Sequence, residues 1–141
     1  MSTDENRPLR IALADDNPDL RRVMALMVER LGHRAVLTAA DGAELIELCS
    51  AAEIDIVLVD LDMPEVDGLA AAEDLSRRGI PVVFISGHRD VDQVVVEHEP
   101  IVACIRKPAT LESLRQAVER ARRAAAQLHT DPQSSPTRKL S

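Results

Sequence analysis

Ile54-Asp55-Ile56-Val57-Leu58-Val59-Asp60 is an apolar run interrupted only by Asp55 and closed by a second acid, Asp60. Near-continuous aliphatic runs of this length are the pattern of a strand buried on both faces, as in parallel sheets covered by helices. Three more such runs end on reactive side chains. Ile11-Ala12-Leu13-Ala14 precedes Asp15-Asp16, Val82-Val83-Phe84-Ile85 precedes Ser86, and Ile101-Val102-Ala103-Cys104-Ile105 leads through Arg106 to Lys107. As parallel strands of one sheet, these runs bring their carboxyl ends to one edge, where open α/β sheets bind ligands. An acid pair, a nucleophilic carboxylate, a hydroxyl and an amine then share one pocket. That set suits phosphoryl transfer onto a carboxylate with a magnesium ion.

The segments between the runs read as helices and one further strand. Leu20, Val23, Met24, Met27, Val28 and Leu31 recur at spacings of three and four, so one apolar stripe is predicted to face the core, with Asn17 as cap and Pro18 in the first turn. Gly32 stops that helix, and Arg34-Ala35-Val36-Leu37-Thr38 reads as a strand. Asp41 with Glu44 forms a capping-box pattern ahead of a helix bearing Leu45, Leu48, Cys49 and Ala52 on one face. Met63-Pro64-Glu65-Val66-Asp67-Gly68 is turn chemistry, followed by a helix over 69–78 that stops at Gly79. Residues 90–98 are a short helix candidate weakened by Val94-Val95-Val96. Thr110 caps a last helix with Leu111, Leu114, Val118, Ala121, Ala125 and Leu128 on its stripe. Strand and helix alternate five times, which predicts an α/β fold: a five-stranded parallel sheet with helices on both faces. Residues 1–7 read as an N-terminal tail, 8–128 as the folded domain and 129–141 as a disordered polar tail.

With 141 residues and 45% apolar content, the chain suffices for one domain and leaves no room for a second. A formal net charge of -7 disfavours direct binding to nucleic acid or anionic membrane. No apolar stretch approaches the ~18 residues that a membrane helix needs, so the chain reads as soluble and cytoplasmic. Cys49 and Cys104 lack metal-ligand spacing and read as reduced core residues. His33, His88, His98 and His129 show no paired spacing and are assigned to surface or caps. The run Arg120-Ala121-Arg122-Arg123 reads as a solvated helix end.

Asp15-Asp16, Asp60 with Met63-Pro64 and Asp67-Gly68, Ser86-Gly87 and Lys107-Pro108 occur in an order that resembles a two-component response-regulator receiver domain of the stand-alone type. The resemblance covers residues 8–128. It implies the flavodoxin-like (βα)5 sandwich with strand order 2-1-3-4-5. It implies also that Asp60 accepts a phosphoryl group from a sensor histidine kinase, a histidine phosphotransferase or a small acyl phosphate. By the same resemblance, Mg2+ is held by Asp16, Asp60 and the backbone carbonyl of Asp62, with Asp15 acting through water. Lys107, the Ser86 hydroxyl and the Gly87 amide donate to the phosphoryl oxygens. Of the seventeen basic residues only Lys107 and Lys139 are lysine, which singles out Lys107 as a place for a compact point charge. Output would pass through a partner protein, and homodimer formation stays open. The start at Met1 and the polar tail favour a stand-alone regulator.

Each motif alone has a structural reading. Asp15-Asp16-Asn17 can simply cap a helix, Ser86-Gly87 can be a turn and Lys107-Pro108 an exposed strand end; their joint placement at four strand ends favours the functional reading. Two departures stand out: Cys104 occupies the fifth-strand position where receivers carry an aromatic residue, and Phe84 is the sole aromatic in the chain. Relatives often have a cis bond before the proline of Lys107-Pro108. The competing enzyme class is a haloacid-dehalogenase-type phosphatase, suggested by Val57-Leu58-Val59-Asp60-Leu61-Asp62. Its acidic pair should follow the lysine, whereas here the pair precedes it.

Overall fold

The computed structural model describes residues 7–60, 68–87 and 101–130. Five strands are present: β1 (Arg10–Ala14), β2 (Arg34–Ala39), β3 (Ile56–Asp60), β4 (Val82–Ser86) and β5 (Ile101–Arg106). Among the described residues, α1 (Pro18–Arg30), α2 (Gly42–Cys49), α3 (Gly68–Arg77) and α4 (Leu111–Thr130) connect or follow them. All the pairings are parallel, and the order across the sheet is β2-β1-β3-β4-β5. The predicted fold and strand order are therefore observed. The helix candidate at 90–98 lies outside the described residues, and α4 runs to Thr130, two residues past the predicted boundary.

Alternation along the strands splits the interior into two cores. Ile11, Leu13, Ile56, Leu58, Val83, Ile85, Ala103 and Ile105 join Met24 and Val28 of α1 and Leu114, Ala117, Val118 and Ala121 of α4. Ala12, Ala14, Val57, Val59, Val82 and Phe84 face the other way, against Leu45 and Cys49 of α2 and Leu75 of α3. A strand whose odd and even residues are both buried has no polar face, which is why β3 and β4 read as unbroken apolar runs. Burying each leucine or isoleucine fully is worth roughly 1.5–3 kcal/mol, so the sheet is held mainly by these two apolar layers.

Helix ends follow the local chemistry. The Asn17 side chain accepts from the backbone amides of Asp19 and Leu20, with Pro18 in the first turn. Asp41 accepts from the Glu44 amide at 2.8 Å, while Glu44 reaches back to the Ala40 amide at 2.8 Å. Thr110 and Ser113 cap each other reciprocally, Oγ to backbone amide, at 3.0 and 2.9 Å. Gly32 (φ 91) and Gly79 (φ 82) take the left-handed conformation just past α1 and α3. Around each, the next two amides return to the last turn: Gly32 N to Glu29 O and His33 N to Val28 O, then Gly79 N to Ser76 O and Ile80 N to Leu75 O.

Five expectations need correction. Leu20 and Val23 are 42% and 48% exposed, so only the lower part of the α1 stripe packs inward. Ala52 lies beyond the end of α2 and is exposed. Leu111 is 38% exposed, leaving Leu114 as the first core residue of α4. His33 is buried instead of lying at the surface: its Nδ1 accepts a 3.0 Å hydrogen bond from the Leu9 amide, and burial lowers its pKa. The neighbouring Arg122 is not a solvated helix-end cation either, since it donates to the Arg7 carbonyl at 3.1 Å and pairs with Glu119.

Candidate functional site

Parallel pairing brings four strand ends to one edge. β1 and β3 pair through Ala14 and Val59, which places Asp15 and Asp60 one residue further along adjacent strands. Asp60 lies opposite Ile85, next to Ser86, and Ser86 lies opposite Arg106, next to Lys107. The Lys107 amide donates to the Ser86 carbonyl at 2.9 Å, extending the ladder past the last strand residue. The Lys107-Pro108 peptide is cis, as expected.

Asp60 is 3% exposed, yet its Oδ1 lies 3.1 Å from the Lys107 ammonium. Carboxylate oxygens of Asp15, Asp16 and Asp60 lie within 4.8 Å of one another. Asp15 is buried and Asp16 is exposed at the rim. Burial chiefly, and then the adjacent Asp60 carboxylate, push the Asp15 carboxyl up to about 6 against the opposing pull of the Asn17 amide and Lys107. Among the described residues, Lys107 thus faces the three acids Asp15, Asp16 and Asp60. Crowded carboxylates with an excess of negative charge are what a hard dication relieves, and oxygen ligands are what magnesium prefers. Asp15, Asp16 and Asp60 fit such an ion; Asp62 lies outside the described residues.

Ser86 is fully buried at the end of β4, and Gly87 is exposed beside it. The expected set of Asp15, Asp16, Asp60, Ser86, Gly87 and Lys107 therefore gathers at one rim of the sheet. Phe84 is fully buried and lies opposite the half-buried Cys104, and both cysteines are free thiols. A residue missed in the sequence also reaches this edge: Arg21 of α1 donates from Nη1 to the Asp15 carbonyl at 2.7 Å. Its spacing, one turn beyond the Asn17 cap on the helix that follows the acid pair, is the only signal that could have pointed to it.

The chain belongs to the response regulator receiver domain family, whose pattern it matches over residues 11–119. It is 28% identical over 117 residues to the transcriptional regulatory protein GlrR of Escherichia coli, a match that covers 81% of this chain and 26% of that protein. It is 32% identical over 114 residues to the transcriptional regulatory protein PdtaR of Mycobacterium tuberculosis, covering 79% of this chain and 56% of the relative. The chain thus spans only about a quarter to a half of these relatives. Among solved structures, a response regulator receiver domain protein from Clostridium thermocellum superposes with a TM-score of 0.75 at 23% identity, over 85% of this chain and 98% of that one. The haloacid-dehalogenase reading receives no support from these matches. Among the described residues, no helix is long and apolar enough to cross a membrane.

Proposed function

We propose that the chain is a phosphorylation-controlled switch in which Asp60 is the acceptor. The supporting observation is the buried Asp60 carboxylate held 3.1 Å from Lys107 and crowded by Asp15 and Asp16. A carboxylate oxygen of Asp60 attacks the phosphorus of a phosphohistidine or small acyl phosphate. The P–N or P–O bond to the donor breaks with its electrons leaving to the donor, and an acyl phosphate forms on Asp60. Lys107 offsets charge on the phosphoryl oxygens, and the Ser86 hydroxyl and Gly87 amide are placed on the adjacent strand end to donate to them. Mg2+ would be held by Asp16, Asp60 and the backbone carbonyl of Asp62, with Asp15 acting through water, and would supply further positive charge. Positioning and charge neutralisation make up nearly all of such a transfer.

The partners in this reading are a sensor histidine kinase or histidine phosphotransferase upstream and an effector protein downstream, in the cytoplasm. The acyl phosphate carries about -1.5 to -2 of charge where the Asp60 carboxylate carried about -1, and it adds three acceptor oxygens, a change that biases a two-state surface. No turnover of external substrates is involved beyond uptake and loss of the group at Asp60. Incubation with acetyl phosphate and Mg2+ tests the proposal through intact mass. A gain of one phosphoryl group in the parent and none in Asp60→Asn is expected; repeated turnover of diverse phosphate esters would instead restore the phosphatase reading.

A further inference from the structure

We propose that Arg21 is a positioning residue for the acid pair, holding the β1–α1 turn so that Asp15 and Asp16 present their carboxylates to a divalent cation. The inference rests on the reading of Asp60 as acceptor and adds a residue that acts through the backbone. Three bonds fix Asp15 at three different atoms. Its amide donates to the Ala39 carbonyl of β2 at 3.1 Å, its Oδ1 accepts from the Asn17 amide at 2.9 Å, and its carbonyl accepts from Arg21 Nη1 at 2.7 Å. The first two belong to the sheet and to the start of the helix. The third comes from a half-buried guanidinium and is charge-assisted, as is the second when the Asp15 carboxyl is ionised.

The position of this cation also argues for a local purpose. Arg21 lies in the first turn and a half of α1, where the helix dipole disfavours positive charge. The side chain nonetheless folds back over the helix start, reaching the Asp15 carbonyl six residues earlier in the chain. Arg22, the next residue, is exposed and follows no such course. The acid pair follows directly on β1 and, among the described residues, Asp16 has no sheet partner, so the Asp15 carbonyl is the last main-chain anchor seen before the turn.

Charge and positioning predict opposite signs, which makes the proposal testable. If Arg21 acted only as a nearby positive charge, its removal would tighten binding of a dication. If it positions the turn, removal weakens binding, by about tenfold, as loss of a partner that orients metal ligands commonly does. The probe is Mg2+ itself, titrated into the full chain while backbone amide shifts of Asp15, Asp16 and Asp60 are followed, with thermal unfolding of the metal-free protein recorded in parallel. Arg21→Met is expected to weaken Mg2+ binding about tenfold, Arg21→Lys to recover most of it through its ammonium, and Arg22→Met, which removes the same charge, to leave binding at or slightly tighter than the parent. Equal or tighter binding in Arg21→Met, or equal losses in Arg21→Met and Arg22→Met, overturns the proposal. Should Arg21→Met fail to fold, Arg21→Gln against Arg22→Gln carries the same comparison, and equal Mg2+ affinity in the two overturns the proposal. Failure of the acceptor reading looks different: the parent itself would then gain no phosphoryl group at Asp60.

Discussion

Asp55 and Asp60 stand at opposite ends of one strand and are treated in opposite ways. Asp55, just ahead of β3, accepts from the Arg10 amide at 2.8 Å and from both ends of the Arg7 guanidinium at 3.2 and 3.3 Å. Burial pushes its carboxyl up, but the bonds from Arg7 and Arg10 outweigh that and hold it below its ordinary value. Among the described residues Asp60 has the Lys107 ammonium at 3.1 Å and the Asp15 and Asp16 carboxylates beside it, and burial first, then the Asp60 carboxylate, push Asp15 up to about 6. An acid satisfied on every side stabilises a fold. Acids gathered at one sheet edge mark a candidate site.

The sharpest way to break this contrast is to exchange the two roles. Asp60→Asn should abolish phosphoryl uptake, while Asp55→Asn should leave uptake intact and cost about 1–2 kcal/mol of stability through its weakened charged hydrogen bonds. Intact mass and denaturant unfolding on the same samples decide it, and a matching loss of uptake in Asp55→Asn would dissolve the distinction. Lys107→Ala should slow uptake roughly 100-fold, the scale for losing one preorganised charge-stabilising group, as read from single-exponential mass kinetics with acetyl phosphate.

The two poles should also answer pH with opposite signs in the metal-free protein. Asp15 rises from 3.8 to about 6 on folding, so in that window the native chain binds more protons than the unfolded one and loses stability as pH rises. His33 is lowered from 6.5, so the unfolded chain takes up protons first and the native chain loses stability as pH falls below that value. Asp15→Asn should remove the first slope and leave the second, giving a profile that climbs with pH. Identical profiles in urea titrations of parent and variant would erase the difference between the poles. The smallest expected effect is Arg7→Ala, about 0.5 kcal/mol, because that side chain is half exposed and its ion pair is screened.

The sheet and the site residues were legible because strands buried on both faces must be apolar, so each charged or hydroxyl residue at a run's end is conspicuous. Asp60, Ser86 and Lys107 are readable for that reason. His33 was not, since what decides its fate is a main-chain amide at Leu9, distant in the chain and silent in any side-chain pattern. Leu20 and Val23 were misread because the 3.6-residue period shows which residues share a stripe but not how much of that stripe the sheet covers. Arg21 escaped for a third reason: its partner is a carbonyl oxygen, which every residue has. Arg122 was hidden in the same way, by the carbonyl of Arg7.

The amide of Lys107 that bonds to the Ser86 carbonyl yokes the hydroxyl-bearing strand to the amine-bearing one. Neither residue can shift toward an incoming group without straining or dragging the other. A single exchangeable proton therefore sits where both responses must pass, and its solvent protection provides a local gauge of whether β4 and β5 move together or part.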